Sequence, residues 1–148
     1  MEVNFYGDRN PWFMHEIEER GLADIVKVHG SVPRQESLDI QKRSQLLLIL
    51  AWDNKKEKGV YTGKIFDYLA AKRPILSIGS SEDVISKLLT STGTGLIATD
   101  EQVLQRILVS SYMEYKSEGS VRYKGDMTRV MEYSHANMAK QFADLLRQ

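Results

Sequence analysis

The segment Gly59-Val60-Tyr61-Thr62-Gly63-Lys64-Ile65-Phe66-Asp67-Tyr68-Leu69-Ala70-Ala71-Lys72-Arg73-Pro74 holds the residue types best suited to chemistry in this chain. A loop with two glycines runs straight into a helix start. The first N–H groups of a helix have no partner inside it, and the helix dipole is positive at that end. Together they make a site for a phosphate or a diphosphate. Thr62 has the side chain to cap the helix, and Lys64 adds positive charge beside the anion. Asp67 lies one turn on, where a carboxylate accepts hydrogen bonds from paired hydroxyls such as those of a ribose. Each feature also has a plainer reading. Lys64 and Asp67 have the spacing of a surface i,i+3 ion pair. Tyr61 and Phe66 are residue types that also fill cores.

Other chemistries are excluded by what the sequence lacks. The segment has neither the Gly-x-x-x-x-Gly-Lys-Ser/Thr spacing of a Walker loop nor a Gly-x-Gly-x-x-Gly dinucleotide fingerprint. His15, His29 and His135 fall on separate elements without metal-ligand spacing, so no metal is expected. Ser110, Ser111 and the other serines have no nucleophile-elbow context. There is no cysteine, hence no disulfide and no thiolate chemistry. A formal net charge of +0 gives no long-range pull on nucleic acid. No apolar run reaches the roughly 18 residues of a membrane span. The opening Met1-Glu2-Val3-Asn4 does not read as a secretory signal, so a cytoplasmic location is expected.

The elements that must position the segment alternate along the chain. Val3–Tyr6 reads as a strand stopped by Gly7. Pro11 opens a helix to about Arg20, ended by Gly21, with Phe13, Ile17 and Leu22 on its buried side. Ile25–Val28 is the next strand, and Pro33 to about Arg43 a short helix. Gln45–Leu50 is apolar on both faces, as a central strand covered by helices would be. A helix over Gly63–Lys72 is stopped by Arg73-Pro74. Ile75–Ile78 is a strand, Glu82–Leu89 a helix and Leu96–Ala98 a short strand. Thr99 and Gln102 suit a capping box for the helix that buries Val103, Leu104, Ile107 and Leu108. A long last helix spans Met127–Leu146, with Met131, Met138, Phe142 and Leu145 at helical intervals. This order predicts an α/β domain with helices on both faces of a mostly parallel sheet of about five strands. Ligands of such sheets sit beyond the carboxyl ends of the strands. Gly7, Gly30, the Trp52–Gly63 loop, Gly79 and Gly95 are read as the exits forming that rim.

Lys64-Ile65-Phe66-Asp67-Tyr68-Leu69-Ala70-Ala71-Lys72-Arg73-Pro74-Ile75-Leu76 closely resembles the K-[IL]-F-E-Y-L-A-x-x-[RK]-P-I-L segment of family-four, or "group 1", retaining glycosyltransferases. The resemblance lies in the C-terminal, donor-binding domain of their GT-B fold, and it covers nearly the whole chain. Val3–Gly7 looks like the strand opening that domain's second βα unit. Gly21–Val32 looks like its strand entering "G-x-V", and Gln41–Leu50 like its short helix and following strand. Gly93-Thr94-Gly95-Leu96 looks like the turn before the last strand, and Tyr133-Ser134-His135 like the start of the closing helix.

The resemblance implies a three-layer Rossmann-like domain spanning residues 1–148. It implies a nucleotide-diphosphate sugar as donor substrate, held by Gly7, Tyr61, Thr62, Gly63, Lys64 and Asp67, with no further cofactor and no catalytic side chain assigned. Gly79–Ser81 or Thr92–Gly95 would line its sugar or phosphate side. The intact enzyme would pass the sugar to a saccharide or lipid-linked acceptor, from the cytoplasm or from the periphery of a membrane. Two departures stand out. The family often carries two glutamates eight positions apart; the second place here is Asp67 and the first is Gly59, leaving Asp53 or Glu57 to serve from the loop. The family's acceptor-binding domain and first βα unit are also missing, so this chain alone is expected not to transfer sugar. With the central strand absent, the Val3 strand would pair with the Leu46–Leu50 strand, or two copies would join at their edges as a homodimer. If the alignment is one unit off, Val3–Tyr6 is itself the central strand. The alternatives are part of a sugar-nucleotide epimerase of the same architecture, or a non-enzymatic α/β module that binds a partner protein.

Overall fold

The computed structural model describes residues 1–50, 61–79 and 82–147. The chain divides into two compact units, Met1–Ile40 and Gln41–Gln148.

The first unit is a single β-α-β turn. Strands β1 (Val3–Phe5) and β2 (Val26–Val28) pair in parallel, with Val3 opposite Val26 and Phe5 opposite Val28. Helix α1 (Pro11–Glu19) connects them. It begins where the sequence predicts: Asn10 caps it by accepting from the Trp12 N–H at 3.0 Å, and Pro11 occupies its first turn without wasting a donor. Ile17 is buried, and the Phe13 ring meets Phe5 edge-on at 4.9 Å. Gly21, at φ +63°, closes the helix in a conformation that costs an L-residue energy. Helix α2 (Arg34–Arg43) spans the boundary between the units and buries none of its residues.

The second unit is larger. Strands β3 (Leu47–Leu50), β4 (Ile75–Ile78) and β5 (Gly95–Ala98) form a parallel sheet in that order. Helices α3 (Gly63–Ala71) and α4 (Val84–Thr92) make the crossovers. Their Ile65, Leu69, Ile85, Leu88 and Leu89 share one core with Leu47, Ile49 and Ile75. Leu89 sits so close to the sheet that a Cβ on Gly95 would lie 2.4 Å from its own Cβ; glycine there is a packing requirement. Helix α5 (Glu101–Glu118) packs on β5, and α6 (Met127–Glu132) adds Val130 to the core. Helix α7 (His135–Leu145) closes the unit.

The fold is therefore α/β with parallel pairing throughout, and five strands are present among the described residues. They do not make the single five-stranded sheet that the sequence predicts: two strands pair in one sheet and three in another. The Val3 and Leu46 strands are not neighbours, and no described strand lies hydrogen-bonded between them. Each crossover joins strands close in sequence, whereas pairing β1 with β3 requires a long-range match that local periodicity does not encode. For the same reason β3 is not the central strand. Leu47 and Ile49 are buried, but Leu50 is 64% exposed. The strand buried on both faces is β4, through Ile75, Leu76 and Ser77.

Two local expectations also change. Asp100 caps α5, accepting from the Val103 N–H at 2.8 Å, and Thr99 only braces that carboxylate. That backbone hydrogen bond, chiefly, holds the Asp100 carboxyl below its ordinary pKa. The long last helix is two helices, broken at Tyr133 because the Ser134 hydroxyl accepts from the Asn137 N–H and starts α7 afresh. Its periodic apolar residues Met131, Phe142 and Leu145 are exposed. No helix among the described residues is long and apolar enough to cross a membrane.

Candidate functional site

The helix start singled out by the sequence is α3. Residues Thr62, Gly63 and Lys64 are all exposed there. Thr62 takes the cap position with extended backbone, but its hydroxyl makes no capping hydrogen bond, contrary to expectation. The Ile65 N–H turns back to the Thr62 carbonyl at 3.0 Å. The N–H groups of Gly63 and Lys64 have no partner among the described residues. This sets α3 apart, because side chains of Asn10, Asp83, Asp100, Asp126 and Ser134 cap α1, α4, α5, α6 and α7.

The side chains around this start are arranged as follows. Lys64 and Asp67 do not form the i,i+3 ion pair that their spacing permits. Lys64 is exposed and Asp67 half-buried, on neighbouring turns of one helix side. Tyr61 is 41% exposed. Its ring meets Phe66 at 6.1 Å and Tyr133, at the end of α6, at 6.4 Å, both edge-on. Partial desolvation, and next the charge of Tyr133, push the Tyr61 hydroxyl above its ordinary pKa. Phe66 and Tyr133 pack on the core. Tyr133 is a neighbour that sequence reasoning missed, since nothing local ties it to Tyr61 across that separation.

Gly7 belongs to the other unit. At φ +149° it leaves β1 in backbone that only glycine adopts freely, and its N–H donates to the Gly30 carbonyl at 2.9 Å. The same register stacks Tyr6 on His29, with ring centroids 4.5 Å apart, and brings the Ser31 hydroxyl to Asp8 at 3.2 Å. His29 Nε2 also lies 2.5 Å from Asn4 Oδ1. This polar cluster at the strand exits was not singled out from the sequence. Its signal was available: extending the β1–β2 register opposes Tyr6 to His29, Gly7 to Gly30 and Asp8 to Ser31.

Two expected rim contributors move to the wrong edge. Gly95 opens β5 instead of following a strand, so it lies at the amino edge of the sheet. The Thr92 and Thr94 hydroxyls are buried there and hydrogen-bonded to each other at 2.9 Å. The Thr92–Gly95 turn therefore cannot line a ligand at the carboxyl edge. Periodicity located the glycine turn correctly but misread which side of the strand it served. Asp53, Glu57, Gly59, Ser80 and Ser81 lie outside the described residues. Among the described residues no three His, Asp or Glu side chains converge as metal ligands. No protein-family model matches the chain, and no curated protein matches it.

Proposed function

We propose that the chain is the donor-binding part of a glycosyltransferase, a Rossmann-like three-layer domain that holds a nucleotide-diphosphate sugar. The intact enzyme passes the sugar to a saccharide or lipid-linked acceptor. One observation carries the reading: the start of α3 is exposed and lacks a side-chain cap, while its Gly63 and Lys64 N–H groups stay open. A diphosphate supplies the acceptors that side chains supply at the starts of α1, α4, α5, α6 and α7, and the dipole and Lys64 favour its charge. Held there, the leaving diphosphate is stabilised as the sugar departs. Asp67, one turn on, accepts from the ribose hydroxyls, and Tyr61 borders the same opening. The likeness of Lys64–Leu76 to the family-four segment supports the same assignment.

Calorimetry with UDP, GDP and inorganic phosphate tests this. A nucleoside diphosphate should bind at least tenfold more tightly than phosphate, and Asp67→Ala should weaken it about tenfold with the fold intact. Equal weak binding of all three would retire the reading. A second reading, a module that docks a partner protein, is favoured by Phe142, Leu145 and Leu146 standing exposed on and just beyond α7. Failure of every nucleotide in the titration would favour it.

A further inference from the structure

The second unit contains a cavity of about 290 Å³ at the amino edge of its sheet, away from the start of α3. Pro74, just before β4, and Gly93–Gly95, entering β5, form one wall. Ile107 and Glu114 of α5 form another, and Val121, Arg122 and Lys124 close the third. This last segment is fixed in place. The Val121 N–H donates to Gln45 Oε1 at 3.0 Å and the Arg122 N–H to Glu114 Oε1 at 3.2 Å. The Lys124 carbonyl packs so close to Gly93 that a Cβ there would come within 3.3 Å.

The lining is two-sided in character. Pro74, Leu96, Ile107 and Val121 give it an apolar surface, and Arg106, Arg122 and Lys124 bring three positive charges. Glu114 is the one acid in the wall, and an oxygen of its carboxylate is already taken up by a backbone N–H. Arg106 faces the charge of Asp100. Arg122 and Lys124 have no ion pair among the described residues. Ligand pockets have this composition: mostly apolar, with a few charged groups that fix orientation. The volume is at or below the small end of the usual range, which limits the guest to a small molecule. An inorganic anion would leave the apolar surface uncovered, and a neutral hydrocarbon would leave the cations unanswered.

We infer that this cavity binds a small organic carboxylate, with its apolar body against Leu96, Ile107 and Val121 and its carboxylate held by Arg122 and Lys124. Guanidinium and ammonium donors make the stronger, charge-assisted hydrogen bonds to such a group. The site is separate from the α3 start, so it stands or falls independently of nucleotide binding.

Amide chemical-shift mapping with hexanoate tests the inference, with hexanol and inorganic phosphate as comparison probes. Hexanoate should give saturable shifts centred on Gly93, Gly95, Val121 and Arg122, and should bind more tightly than either comparison probe. Arg122→Gln combined with Lys124→Gln should weaken hexanoate about tenfold and leave hexanol unchanged. Both positions are exposed, so the spectrum elsewhere should be preserved. Shifts centred elsewhere, absence of saturation, or undiminished hexanoate binding in the double variant would overturn the inference.

Discussion

Helices α3 and α4 are of equal length and begin at the same edge of one parallel sheet, yet their starts are built differently. At α4 the carboxylate of Asp83 is buried and accepts from the Ser86 N–H at 2.6 Å, so the chain answers its own donors. At α3 the corresponding position is Thr62, exposed and without a capping bond. The first arrangement secures the helix. The second leaves donors facing water, where an anion can take the place of the missing side chain. Stability and binding are thus divided between two adjacent helix starts, and the division can be tested at each.

The largest effect is expected at α4. Asp83→Ala removes a buried cap and the hydrogen bond it accepts from the Ser86 N–H, which should cost about 2 kcal/mol. That corresponds to a fall in Tm of roughly 4–8 °C for a chain of this size, measured by calorimetry or circular dichroism. Thr62→Ala should change Tm by less than about 2 °C, because its hydroxyl caps nothing. Equal losses at the two sites would erase the distinction.

A smaller effect of opposite sign sharpens the comparison. Thr62→Asp installs at α3 the kind of cap that α4 already has, and should raise stability by about 0.5–1 kcal/mol. The new carboxylate would occupy the open N–H groups and repel a diphosphate. Nucleoside diphosphate affinity should therefore fall about tenfold while Tm rises. A parallel rise in both would show that the anion does not bind at this helix start.

The two starts also mark how far the sequence could be read. The extent of α3 was legible to within a residue, because Gly63 and Arg73-Pro74 bound an amphipathic run whose Ile65 and Leu69 reach the core. What Thr62 does there was not legible, since a threonine can take the cap position without turning its hydroxyl to the helix. At α4 the periodic Val84, Ile85, Leu88 and Leu89 marked the helix, but the cap proved to be Asp83. Long-range pairing was the main loss. Nothing within β1 or β3 specifies that they stay in different sheets. The amino-edge cavity was invisible for the same reason: Arg106 lies on α5 while Arg122 and Lys124 follow it, and only the turn at Gly119 brings them back to the same cavity.

The smallest expected effect concerns Tyr61, which borders the open start and not the capped one. Its hydroxyl is held above the ordinary range first by desolvation and then by the charge of Tyr133. The folded protein therefore keeps Tyr61 protonated at a pH where the unfolded chain has begun to ionise it. Stability from this source is complete below the unfolded tyrosine pKa of about 10 and declines as pH rises through the folded value. Burial raises Tyr68 and Tyr123 in the same direction, so the whole chain should lose stability on the alkaline side. Tyr61→Phe should remove only its own share, because a group this exposed is screened by water. The measurement is the alkaline limb of Tm against pH, paired with an absorbance titration of the tyrosines. Tyr61→Phe should make that limb slightly shallower. Nucleotide bound at α3 should in turn move the Tyr61 titration to higher pH, since a nearby diphosphate disfavours the phenolate. A Tyr61 titration indifferent to saturating UDP would place the anion away from this helix start, and would leave the exposed ring as part of the core boundary alone.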